Sequence, residues 1–177
     1  MAAGRQLLEE EGPEALTMRR LAERVGIRAP SLYKHLPDKA ALEAAIIATG
    51  FEEAAATFEQ AVEGAGEGRG EGPGDWQPAG RGNALVALAA AYRRFALEHP
   101  HLYRLMNNGP LPREHLPPGL ENRTAAPLLR AAGSQARARA VWAFAHGMVQ
   151  LELDQRFPPE ADLDAAWHAG IAAFQAG

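Results

Sequence analysis

The run T-M-R-R-L-A-E-R-V-G-I-R-A-P-S-L-Y-K-H-L-P-D-K, residues 17–39, admits little besides a helix, a tight turn and a second short helix. Thr17 carries the hydroxyl an N-cap needs, and Met18, Leu21, Ala22 and Val25 recur at the spacing of one buried helical face. Gly26 supplies the left-handed residue that ends a helix, with Ile27 placed to pack back on the last turn. Pro30 suits the first position of the next helix, where its missing N–H has no partner to lose. Leu32 and Leu36 bury one side of that helix, Pro37 closes it, and Asp38 caps the one that follows. Ser31, Tyr33, Lys34 and His35, preceded by Arg28, are left facing outward.

That outward set suits a phosphate backbone and base edges. Arg and Lys bring charge, Ser, Tyr and His bring directed hydrogen bonds, and Pro and Ala surfaces can meet a thymine methyl. Along the run, Arg19, Arg20, Arg24, Arg28, Lys34 and Lys39 stand against Glu23 and Asp38. The run therefore carries +4 in a chain whose total is −4, which leaves −8 on the remainder. Such a local patch on an acidic chain is an electrostatic footprint. The plain alternative is a solvated two-helix surface; the coincidence of cap, glycine, proline and cations favours nucleic acid.

With 177 residues, 47% of them hydrophobic, the chain can bury a core in one or two small domains. No apolar run is long enough to span a bilayer, and the N-terminus lacks a basic-then-apolar signal pattern. The absence of cysteine excludes disulfides, thiolate metal sites and cysteine nucleophiles, and fits a reducing compartment. Few β-branched residues alternate with period two, so an all-α fold is expected.

Residues 4–11 should form a first helix ended by Gly12 and Pro13, with Leu7, Leu8 and Leu16 feeding a small core. From Lys39 to about Val62 the pattern predicts one long helix. Its Leu42, Ile46 and Ile47 face that core, and Phe51, Ala55, Phe58 and Val62 extend the stripe beyond it. Residues 64–82 are glycine-rich and expected to be a flexible loop; they lack G-K-[ST] and G-x-G-x-x-G, and Glu67, Glu71 and Asp75 would repel phosphate. Leu85, Leu88, Tyr92 and Phe95 mark a helix over 83–98, broken by Pro100. A short helix follows over 101–108, with Leu102, Leu105 and Met106 inward and Tyr103 at a pocket edge. The proline-rich stretch 109–119 is a loop. A helix over 121–132 contains Pro127, which would bend or start it.

Residues 134–156 form the second strong element. From Ala140 to Leu153 it is apolar on nearly every face and must be covered on several sides. Pro158 and Pro159 end the run, and a last helix over 161–176 aligns Leu163, Trp167, Ile171 and Phe174. Two terminal helices this apolar predict self-association through a four-helix contact between subunits, with packing inside one subunit as the alternative.

Little catalytic chemistry is legible. His35, His99, His101, His115, His146 and His168 fit no zinc pattern. Asp164 and His168, four apart, read as a local charge-assisted pair. His146, in an apolar helix beside Trp142, is either a hydrogen-bonded core histidine or a polar contact to a ligand. The acids at Glu9–Glu11 and at Glu52 and Glu53 read as solvated faces. No nucleophile–base pair is visible, so no catalytic residue, metal or cofactor is expected.

Residues 7–51 resemble the DNA-binding domain of the tetracycline-repressor-like (TetR/AcrR) family of bacterial transcriptional regulators. The resemblance is carried by Leu8, Gly12, Thr17, Leu21, Ala22, Val25, Gly26, Ser31, Leu32, Tyr33, His35, Leu36, Lys39 and Leu42. The string S-L-Y-K-H-L-x-x-K-x-x-L is far more specific than a bare helix-turn-helix. W-A-F-A-H-G, from Trp142 to Gly147 and followed by L-E-L and R-F-P-P, resembles one class of C-terminal effector domain known by a W-x-x-x-H-G signature.

The resemblance implies an all-α chain, with a three-helix helix-turn-helix domain over 1–46 and a helical-bundle ligand-binding and dimerisation domain over 47–177. It implies a cytoplasmic homodimeric repressor, joined through its two C-terminal helices and released from double-stranded operator DNA by a small, mainly apolar effector. Base-edge contact would fall to Arg19 and Arg28, with Ala29, Pro30 and Ser31 at the groove floor. Thr17, Tyr33, Lys34, His35 and Lys39 would hold phosphates. The effector would touch some of Tyr92, Phe95, Tyr103, Met106, Trp142 and His146. Family members usually carry a further turn and a basic arm before the first helix. Here only Arg5 lies near Met1, so either the start lies late or DNA is bound more weakly than by relatives. The alternative is a helical carrier or enzyme for an apolar molecule with a degenerate reading head; Tyr33→Ala and Lys39→Ala would abolish DNA binding only in the repressor. An effector-free architectural DNA binder would be released by no small molecule.

Overall fold

The computed structural model of the chain describes residues 1–67 and 82–175. Among these residues there are nine α-helices and no strands. They are α1 (Ala2–Glu11), α2 (Met18–Arg24), α3 (Ala29–Leu32), α4 (Lys39–Glu67), α5 (Gly82–Glu98), α6 (Pro100–Asn107), α7 (Leu120–Ala132), α8 (Gln135–Leu153) and α9 (Leu163–Gln175). None of the described helices is long and apolar enough to cross a membrane. The flexible loop expected over 64–82 falls mostly outside the described residues; residues 64–67 continue α4, which runs five residues past the predicted Val62.

The chain divides into two compact units, one of Met1–Glu53 with Glu98–Glu121, the other of Ala54–Leu97 with Asn122–Gly177. In the first, Leu7, Leu8, Leu16, Leu42, Ile46 and Leu102 are essentially removed from water. Each is worth about 2 kcal/mol of transfer free energy, enough together to hold short helices that would not persist alone. Gly4 brings α1 close to Ile46 and Leu42 of α4. Gly50 does the same for α6, since a methyl there would meet Met106 Sδ at 2.6 Å.

Local signals in this unit behave as their chemistry dictates. Thr17 Oγ1 accepts from the Arg20 amide at 3.2 Å, and Asp38 Oδ1 accepts from the Ala41 amide at 2.8 Å. Gly26 sits at φ +70°, and the amides of Ile27 and Gly26 bond back to the carbonyls of Ala22 and Glu23, closing a Schellman motif. Three expectations need correction. Val25 and Ile27 are 42% and 43% exposed, because the Schellman turn is held by backbone bonds and its side chains swing clear of the core. The second helix is a single turn, Ala29–Leu32, with Pro30 at its second position, and it continues as turns to a half-buried Leu36. The acids of α1 and Glu53 are not merely solvated: Glu9 accepts from the amides of His101 and Leu102, and Glu53 pairs with Arg5 and His99.

The second unit is built from the C-terminal part of α4 with α5, α7, α8 and α9. Phe58 packs on Tyr92 and Phe95 at ring-centroid distances of 6.0 and 6.5 Å, and Phe144 packs on Trp167 and Phe174 at 5.6 and 5.9 Å. Ser134 caps α8 through the Arg137 amide, and Asp162 caps α9 through the Ala165 amide. Asp164 accepts from Arg93 of α5 at 2.5 Å. Arg93 also reaches Glu152 of α8 and lies over the Trp167 ring. On α8, Trp142 is half exposed and Leu151 is also open.

Candidate nucleic-acid interface

The surface that concerns function is built by α2, the turn after it, α3 and the first turn of α4. Met18, Leu21, Ala22 and Leu32 point into the small core and so fix the direction of everything opposite them. Arg19, Arg28, Pro30, Ser31, Tyr33, Lys34, His35 and Lys39 are exposed; Thr17 and Ala29 are partly buried. Tyr33 shows 49% of its surface, a large share for an aromatic side chain.

Electrostatics divide these cations into two groups. Arg19 bonds Glu23 at 2.8 Å on the same helix face, which raises its pKa further through that hydrogen bond and charge. Lys39 lies 3.4 Å from Glu43, Arg20 is 2.5 Å from Glu11, and Arg24 pairs with Glu10. Arg28 and Lys34 enter no ion pair among the described residues. The fold thus sets Glu10, Glu11 and Glu43 against a run that already holds Glu23 and Asp38, leaving its six cations one positive charge in excess. The phosphate-seeking charge is concentrated at Arg28 and Lys34, flanking Ser31, Tyr33 and His35. Exposed pairs such as Arg19–Glu23 are weak, so a phosphate can displace the carboxylate at little cost.

Residues expected at an effector site are distributed between the two units. Tyr92 and Phe95 flank Phe58, and Trp142 and His146 lie with ring centroids 6.2 Å apart on α8, all in the second unit. Tyr103 and Met106 belong to the first. Tyr103 is fully buried, while Met106 lines a shallow cleft with Ala40, Glu43, Ile47 and Leu105. Burial lowers the pKa of His146, so the ring stays neutral and keeps one acceptor nitrogen near neutrality.

Helical spacing could find only the Arg5–Glu9 pair at 3.8 Å; the other partners of Glu9, Glu10 and Glu11 come from α6 and α2. One signal was present: three carboxylates in the last turn of α1 oppose the helix dipole, and that turn holds no basic residue.

Comparison with known proteins follows this geometry closely. Residues 1–46 match the model of bacterial regulatory proteins of the tetR family, and residues 85–174 match the tetracyclin repressor-like C-terminal domain. The tetracycline repressor protein class G of Vibrio anguillarum is 50% identical over 42 residues, 24% of this chain and 20% of that protein. The match thus spans about a fifth of that relative. A protein of unknown function from Rhodococcus sp. RHA1 superposes with a TM-score of 0.75 at 25% identity, covering 98% of this chain and 89% of that one. A variant of TetR from Acinetobacter baumannii AYE, solved in complex with minocycline, gives 0.64 at 26% identity, with coverage of 99% and 92%.

Proposed function

The chain belongs to the tetR family of bacterial regulatory proteins, and from that premise we propose a homodimeric repressor that leaves its operator when a small, mainly apolar ligand binds. The observation that carries the reading is that Arg28 and Lys34, which enter no ion pair among the described residues, lie beside exposed Ser31, Tyr33 and His35 on α3 and the turn after it. Arg28, Ser31, Pro30 and Ala29 meet base edges; Lys34, Tyr33, His35, Lys39 and the hydroxyl of Thr17 hold phosphates; Arg19 exchanges Glu23 for DNA. Two copies are needed because a two-fold reader engages two half-sites about one helical turn apart. Half-exposed Trp142 on α8 marks the surface on which the second copy docks. The effector rests on some of the aromatic side chains of the second unit, Tyr92, Phe95, Trp142 and His146.

Fluorescence anisotropy on duplexes selected from a randomised pool tests the reading. Lys34→Ala should weaken binding about fivefold at physiological salt and reduce the slope of log affinity against log salt by about one. Affinity independent of salt, or Lys34→Ala and Tyr33→Ala binding as the wild type does, would overturn it. Minocycline, bound by the Acinetobacter relative, is the first effector probe. A compound that binds should raise the melting temperature and release the duplex.

A further inference from the structure

The cleft that Met106 lines lies wholly within the first unit, between the first turns of α4 and the chain that leaves α6. Its volume is about 160 Å³, and a cavity of about 150 Å³ accepts a benzene-sized body. Ile47 of α4, Leu105 and Met106 of α6, and Leu111 between two prolines make its walls apolar. The outer wall is stiff. Pro110 and Pro112 fix their φ angles, and the Arg113 amide bonds the Leu111 carbonyl at 2.9 Å. Arg113 Nε in turn reaches both oxygens of Glu121, at 3.0 and 3.2 Å. A wall already ordered loses little freedom when a guest arrives. The charge that reaches the cleft has one sign. Among the described residues, Glu43 is the only charged side chain that lines it. There α6 ends with its C-terminal carbonyls, the negative pole of the helix dipole, while Arg104, the cation of that last turn, is not part of the lining. The Glu43 side chain is 33% exposed, and its partner Lys39, 3.4 Å away, is half exposed. Such a solvent-screened pair yields readily to a better placed cation.

We propose that this cleft binds a small organic ammonium ion, a primary amine that carries one ring-sized apolar group. The ammonium donates to the Glu43 carboxylate, and the apolar body lies against Ile47, Leu105, Met106 and Leu111. A neutral or anionic molecule of the same shape fits the walls but leaves the charge unanswered. The bound amine takes over the carboxylate that holds Lys39 and so frees Lys39 for phosphate. That regulatory consequence rests on the repressor reading above; the site itself does not.

Methyl NMR on the full chain, titrated with benzylamine, tests the site. The methyl signals of Ile47, Leu105, Met106 and Leu111 should shift in the millimolar range, while those of Val149 and Ile171 in the second unit stay in place. Benzyl alcohol and benzoate, which carry the same ring, should bind about fivefold more weakly or less, the upper worth of a solvent-screened ion pair. Glu43→Gln keeps the shape and removes the charge; it should weaken benzylamine about fivefold and leave benzyl alcohol as it was. Leu111→Ala opens the wall without touching Glu43 and should weaken amine and alcohol alike. Absent shifts at the four residues, shifts confined to the second unit, equal affinity for the three probes, or a Glu43→Gln variant that binds benzylamine as the wild type does, overturns the proposal. On duplexes selected by the wild type, at constant ionic strength, saturating benzylamine should raise affinity about twofold, and Glu43→Gln should show that gain without the amine. Unchanged affinity in both overturns the release of Lys39. A wild type that selects no duplex overturns the repressor reading instead and leaves the methyl shifts to decide the site.

Discussion

α2 and α3 bury small aliphatic side chains and turn a polar surface to solvent, whereas α8 and α9 bury a carboxylate and leave a tryptophan half exposed. In the reading head the ion pairs lie at the surface and little depends on any one of them. In the second unit the Glu152 side chain is only 6% exposed, and it accepts from Arg93 Nε at 3.0 Å and Trp167 Nε1 at 2.5 Å. That carboxylate is tolerated because both its oxygens are occupied and Arg93 is itself held by Asp164 and the Trp167 ring. The contrast separates two uses of polar groups. At the head they are left available to a partner; between α5, α8 and α9 they are consumed in fixing which helices meet.

Removing the buried acceptor should break that contrast most visibly. Glu152→Ala leaves the Trp167 indole N–H without this acceptor and Arg93 with Asp164 alone, and should cost about 2 kcal/mol in denaturant unfolding; a loss as small as that of a surface pair would mean the clamp is unimportant. Next comes the exposed face of α8. Trp142→Ala should weaken self-association by about 2 kcal/mol, the scale of an interfacial hot spot, and leave the secondary structure unchanged. Sedimentation at micromolar concentration reads this, and an unaltered oligomer would remove Trp142 from the interface. Thr17→Ala, which deletes the cap of α2, should cost about 1 kcal/mol. Thermal melts would show it, and a full effect on DNA affinity at unchanged stability would assign the hydroxyl to phosphate rather than to the cap. The smallest effect concerns His146. Burial holds its pKa below the ordinary value, so the unfolded chain takes up the proton first. The stability gained by keeping the ring neutral is full above about pH 6.5 and is lost as the pH falls towards the lower folded pKa. Unfolding at pH 7.5 and 5.5 should show this loss, and His146→Gln should reduce it.

How much was legible depends on the range of the interaction. Thr17, Gly26 and Asp38 act on backbone groups within four residues, so their roles follow from sequence spacing alone. The acids read as solvated faces failed that reading because their partners lie far along the chain. Glu9 finds Leu102, 93 residues away, and Glu53 finds Arg5, 48 away. Val25 and Ile27 show a second limit. A helix-end pattern specifies the backbone turn, and the turn then decides where its side chains point. The exposure of Arg28, Ser31, Tyr33, Lys34 and His35 was legible, because a short amphipathic turn needs only residue types at a known face. The division of Tyr92, Phe95, Trp142 and His146 from Tyr103 and Met106 between two units was not, because units are assembled from distant parts of the chain.

Sequence alone determined that this chain is helical, that it carries a capped helix-turn-helix near its start, and which polar side chains of that motif face outward. Those outcomes depend on dihedral preference, capping and periodicity, which act over one or two turns. Only the tertiary structure decided which cations of the basic run stay unpaired, that α6 is capped by α1, and that Glu152 sits buried between Arg93 and Trp167. Charge and desolvation act through space, and a carboxylate has no identity as solvated, capping or buried until folding has chosen its neighbours.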